Sequence, residues 1–66
     1  MKITVNNDPI EIGNNTTVAD LIETLNYGKS QLAVAINSRV VPKTKWQQTP
    51  LHENDEIIII KAVTGG

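Results

Sequence analysis

The chain ends in Gly65-Gly66, and the group best suited to chemistry is the free α-carboxylate of Gly66. An α-carboxyl group titrates near ~3.5, so at neutral pH it is an anion and a poor electrophile. To accept a nucleophile, one oxygen must first become a good leaving group. Attack on the α-phosphate of ATP would achieve this and give an acyl-adenylate, with Mg²⁺ neutralising phosphate charge in a partner's site. Glycine at both terminal positions leaves no Cβ beside the reacting carbonyl and permits backbone angles closed to other residues. Two adjacent terminal glycines arise by chance about once in 200 chains at a glycine frequency of ~7%. A frayed end is therefore the alternative reading.

Other reactive side chains are few. There is no cysteine, which removes a thiolate nucleophile, a disulfide framework and a cysteine zinc site. His52 is the single histidine and has no His or Cys partner for a metal, so it reads as a surface residue. Glu53, Asp55 and Glu56 lack the spacing of a calcium loop and read as a solvated turn. Trp46 reads as a packing residue rather than a binding anchor. The lysines read as solvated surface.

The tail needs a body to carry it. Residues 63 to 66 span about 13–14 Å fully extended, enough to pass from a docked surface into a buried pocket. Ordering four flexible residues costs roughly 4–8 kcal/mol, so the body must contribute affinity. Val63, Thr64 and Gly65 are the expected tail-binding residues, and the tail is expected to be mobile in the free protein.

The body reads as one small α+β unit over residues 1–62, followed by the tail 63–66. Ile3 and Val5 alternate with Lys2, Thr4 and Asn6, as in a half-buried strand. Asn7-Asp8-Pro9 predicts a turn into Ile10-Glu11-Ile12. Val18, Leu21, Ile22 and Leu25 then fall on one face of a helix, with Thr17 as N-cap, Asp20 approximating a capping box and Gly28 as the stop. Ala33–Ile36 and Val40-Val41 predict a second hairpin turning at Asn37-Ser38-Arg39, and Pro42 ends it. Lys43–Thr49 predicts an irregular stretch or a single helical turn. Ile57–Ile60 is apolar on both faces and wants a central place beside the first strand. One pair, Ile57 and Ile59 or Ile58 and Ile60, must pack under the helix, leaving the other on the open sheet face. Partner docking is assigned to Ile58 and Ile60. This order describes a mixed sheet with one crossover helix, the β-grasp or ubiquitin-like fold.

Composition excludes several classes. With 66 residues, there is little room for an internal active-site cavity, which argues against an independent enzyme. Net charge is −1 and no basic run is present, which argues against nucleic acid. The longest apolar run is four isoleucines, which argues against a membrane span. The lack of disulfides fits the cytoplasm.

The run Val34-Ala35-Ile36-Asn37, Val40-Val41-Pro42 and Trp46, then an acidic turn, a β-branched strand and Gly65-Gly66, resembles the sulfur-carrier family of thiamin biosynthesis. The resemblance covers nearly the whole chain. It implies that Gly66 is adenylated by a ubiquitin-activating-type enzyme using ATP and Mg, then converted to a thiocarboxylate. It implies sulfur drawn indirectly from cysteine through a cysteine desulfurase and donated to thiazole synthase. It implies no cofactor bound by the chain itself. Asn54 departs from the glycine common in the family's turn, but asparagine also adopts the left-handed conformation. The small subunit of molybdopterin synthase and a ubiquitin-like protein modifier are the alternatives with a similar tail.

Overall fold

A computed structural model describes residues 1–27 and 31–62. The expectations placed on Gly28 and on Val63, Thr64, Gly65 and Gly66 lie outside the described residues. The elements run β1 (Lys2–Val5), β2 (Asp8–Glu11), α1 (Val18–Leu25), β3 (Gln31–Ile36), β4 (Arg39–Val41), a 3-10 segment (Lys43–Gln48) and β5 (Glu56–Ala62). They form one five-stranded sheet in the order β2-β1-β5-β3-β4. The last strand is therefore central, as its double apolar character required. It runs parallel to β1 and antiparallel to β3.

Asparagine builds the turns. Asn6 and Asn7 both have positive φ, as do Asn37 and Ser38, and Val5 pairs Asp8 while Ile36 pairs Arg39. These are two-residue hairpin loops, whose twist matches that of the flanking strands. The first turn thus sits one residue earlier than Asn7-Asp8-Pro9 suggested. Pro9 lies inside β2 opposite Thr4, which an edge strand tolerates because the missing N–H would face solvent. Arg39 likewise opens β4 instead of completing the turn.

The helix begins as expected. Thr17 Oγ1 accepts from the Asp20 N–H at 3.2 Å, and the Asp20 carboxylate accepts from the Thr17 N–H at 3.1 Å, a reciprocal capping box. Its last turn is closed by Asn26, left-handed at φ 59° and ψ 46°. An asparagine two residues before Gly28 therefore supplies the stop.

Val18 and Leu21 of α1 are fully buried against Ile3, Val5, Val34, Ile57 and Ile59 of the sheet. Ile22 and Leu25 are half-buried at the margin of this core. Trp46 and Leu51 close the remaining side. Trp46 Nε1 donates to the Val41 carbonyl at 2.9 Å, so the indole is buried with its one polar group satisfied. Its packing role is the one expected from the sequence.

Candidate functional site

β5 is the central strand and the tail follows it in sequence, so the contacts that fix β5 also fix the point at which the tail begins. β1 reaches only as far as Ile57 along β5, with Thr4 beside Glu56 and Val5 beside Ile57. Beyond that the Asn6 side chain takes over. Its Nδ2 donates to the Ile59 carbonyl at 3.1 Å and its Oδ1 accepts from the Ile59 N–H at 2.8 Å. The carboxamide thereby stands in for one more peptide of β1 and lengthens the parallel ladder. Asn37 acts on the opposite flank. Its Oδ1 accepts from the Glu56 N–H at 3.0 Å, and its own N–H donates to the Glu56 carbonyl at 2.8 Å.

The turn before β5 differs from the expectation of a wholly solvated acidic cluster. Asp55 is buried, and its oxygens accept from Asn37 Nδ2 at 3.1 Å and from the His52 N–H at 2.8 Å. It is a structural carboxylate that ties the β3–β4 turn to the start of β5. Glu53 remains exposed yet accepts from the Lys2 N–H at 2.8 Å, and Asn54 carries positive φ. The His52 side chain is 76% exposed, as expected of a surface residue. Among the described residues no cluster of His, Asp and Glu is arranged to hold a metal.

The two faces of β5 are sharply unequal. Ile57 and Ile59 are buried, whereas Ile58 is 38% and Ile60 62% exposed. The outward pair is the one to which docking was assigned, although its exposure alone does not make it a docking site. Residues directly opposite on neighbouring strands share a face. Ile60 pairs Ala33, Ile58 pairs Ala35, and Ala35 pairs Val40, which is 75% exposed. An apolar row thus crosses three strands on the open face. Lys2 and Thr4 of β1 keep their polar side chains on the unburied side of that strand, bordering the row. Sequence reasoning found the isoleucines but missed Val40, Asn6 and Asn37. The signal for the asparagines was present as an apolar residue followed by Asn and a second small polar residue, in Val5-Asn6-Asn7 and again in Ile36-Asn37-Ser38.

A mixed five-stranded sheet packed on one helix, with a β-branched last strand at its centre, defines a small protein of the ubiquitin-like β-grasp class. The ThiS family model matches residues 3–66, and the chain belongs to that family. The sulfur carrier protein ThiS of Escherichia coli K12 is 30% identical over 66 residues, covering the whole of both chains. The uncharacterized protein ycf40 of Porphyra purpurea is 26% identical, over all of this chain and 93% of its own. The crystal structure of a thiamine biosynthesis protein (ThiS) from Geobacter metallireducens shares the fold, with a TM-score of 0.85 at 22% identity over the whole of both chains. Among the described residues no helix is long and apolar enough to cross a membrane.

Proposed function

We propose that this chain is a sulfur carrier in thiamin biosynthesis and acts as a co-substrate of partner enzymes rather than as a catalyst. The observation that carries the reading is the terminal Gly65-Gly66 in a chain of this family that has no cysteine. A ubiquitin-activating-type partner, using ATP and Mg, binds the tail. One oxygen of the Gly66 carboxylate attacks the α-phosphate, and pyrophosphate leaves. The resulting acyl-adenylate is an activated carbonyl. A persulfide sulfur, derived indirectly from cysteine by a desulfurase, adds to that carbonyl and expels AMP, and a thiol then cleaves the S–S bond of the acyl persulfide, leaving as the mixed disulfide. The product is a thiocarboxylate on Gly66, which then gives its sulfur to thiazole synthase. In these steps Val63, Thr64 and Gly65 occupy the partner's channel, and Ile58 and Ile60 dock the body. Docking is required because the tail alone cannot offset the entropy lost when its residues are ordered.

The test is the intact mass of the protein after incubation with its adenylating enzyme, ATP and a sulfur donor. Replacement of one oxygen by sulfur is expected, followed by thiazole formation when thiazole synthase is added. High-mass conjugates would instead indicate a protein modifier. Thiolation without thiazole formation would indicate the molybdopterin pathway, and an unchanged mass would overturn carriage altogether.

A further inference from the structure

The sheet has a notch beside its central strand. β1 pairs β5 only at Glu56 and Ile57, and its chain then turns away at Asn6 and Asn7 into β2. On the other flank β3 pairs β5 as far as Ala62. The C-terminal part of β5 therefore has a neighbouring strand on one side only.

Alternation decides which backbone groups this leaves open. In a strand the N–H and C=O of one residue point to one flank, and those of the next residue to the other. Hydrogen bonds fix the phase. The Glu56 N–H and carbonyl both bond to Asn37, at the end of β3. The Ile57 carbonyl accepts from the Asn6 N–H, on the β1 flank. The Ile59 N–H and carbonyl face the same flank and are taken by the Asn6 carboxamide. Lys61 shares this phase, so its N–H and carbonyl point to the side that β1 has left. Among the described residues neither group has a partner, and Lys61 is exposed. The Asn6 side chain plugs the inner end of the notch. Its outer end lies at Ala62, where the tail follows.

Resting on the carrier reading above, we infer that an extended segment of the adenylating partner adds to β5 as a strand in this notch, starting at Lys61. A donor and an acceptor spaced as in a strand are matched by another extended main chain, whose sequence matters little. A second copy of this chain fits worse, because antiparallel pairing of two copies about Lys61 brings like charges together on one face. Pairing that begins at Lys61 continues past β5. In an extended tail Val63 and Gly65 present their N–H and C=O to the same flank as Lys61. The added strand then sets the register of the tail and holds Gly66 about 16–17 Å beyond Lys61. Its hydrogen bonds offset part of the entropy lost in ordering the tail. Ile58 and Ile60 stay free for docking, since they are exposed on the open face rather than at the strand's edge.

The test uses the full chain and the adenylating enzyme of the same organism, with affinity measured by calorimetry without ATP. Lys61→Pro removes an N–H that bonds to nothing in the free chain, so its urea midpoint should change little. Its affinity for the enzyme should fall about tenfold or more, whereas Lys61→Ala, which keeps the backbone groups, should bind as the parent. Replacing lysine 61 by its α-hydroxy acid exchanges the N–H for an ester oxygen and guards against a conformational effect of proline. That chain should lose about three- to tenfold in affinity. Amide exchange followed by NMR gives a direct readout. The Lys61 amide should exchange faster than those of Ile60 and Ala62 in the free chain and become protected on binding the enzyme. Parental affinity of the ester chain, or a Lys61 amide that stays unprotected in the complex, would overturn strand addition. A Lys61 amide protected in the free chain by self-association would assign the notch to a second copy and overturn it too. If the parent is adenylated while these results go against the notch, strand addition alone fails. If the parent is neither bound nor adenylated, the carrier reading fails and the inference falls with it.

Discussion

Gly66 is the residue on which the proposed chemistry rests, and it is proposed from the sequence alone because a terminal carboxylate needs no fold to be recognised. Deleting Gly66, or adding one residue after it, should abolish adenylation, read as ATP–pyrophosphate exchange with the partner enzyme, and leave the melting temperature unchanged. Undiminished exchange would remove the terminal carboxylate from the mechanism. Asn6 was not legible as a strand component, since its role depends on where β1 stops relative to β5. Replacing it separates two contributions. Asn6→Gly keeps the positive φ and loses the two hydrogen bonds to Ile59, at a cost of about 1–2 kcal/mol. Asn6→Ala adds the strain of an L-residue in the left-handed region, roughly 1–2 kcal/mol more. Urea denaturation checks both, and equal stability of the parent and the Asn6→Gly variant would show that the carboxamide contributes nothing. Asp55 shows the opposite failure of sequence reasoning. Three acidic residues in a row of four suggested solvent, but the backbone N–H of His52 and the Asn37 amide needed an acceptor, and only the folded chain reveals that need.

At the scale of elements, periodicity carried most of the information. The helix start at Thr17 and the central position of β5 followed from residue types alone, because a capping box and a doubly apolar strand each have few structural solutions. Boundaries were less legible. The first turn and the helix end depend on which asparagine adopts positive φ, and Asn6, Asn7, Asn15, Asn26, Asn37 and Asn54 all do so here. Which pair of β5 isoleucines faces the core was equally undetermined, since register sets it and a one-residue slip exchanges the faces. The inequality of the two faces makes a direct prediction. Ile59→Ala should cost about 2–5 kcal/mol, as for other large-to-small changes in a core. Ile60→Ala should cost less than ~1 kcal/mol, in keeping with a site outside it. Ile58→Asp and Ile60→Asp should weaken binding to the adenylating enzyme while the chain stays folded. Intact affinity in both Asp variants would leave the outward pair without a docking role.

For the whole molecule, the β-grasp topology was readable because the elements came in an order that few sheets accommodate, with a crossover helix between strands that end up paired. The open flank of β5 at Lys61 was not, because it appears only when β1 is placed beside β5 and turns away at Asn6. The same topology puts the first and last strands side by side and parallel. Both edges of the sheet are blunted, by Pro9 in β2 and by the shortness of β4.

That parallel pairing has a mechanical consequence. A pull that separates Met1 from Ala62 draws β1 and β5 past each other lengthwise, so their hydrogen bonds are loaded together in shear. None can be unzipped before the next. The bonds bearing the load include the Thr4 N–H to the Asp55 carbonyl, the Asn6 N–H to the Ile57 carbonyl, and the two side-chain bonds of Asn6 to Ile59. Rupture under tension follows the unfolding rate rather than the equilibrium stability. In single-molecule stretching through handles at those two residues, Asn6→Gly should therefore yield at lower force than an Ile22→Val variant of equal or lower equilibrium stability. Asn6 then acts as a rivet at the end of the shear clamp, and the core bears little of the tension until that clamp has slipped.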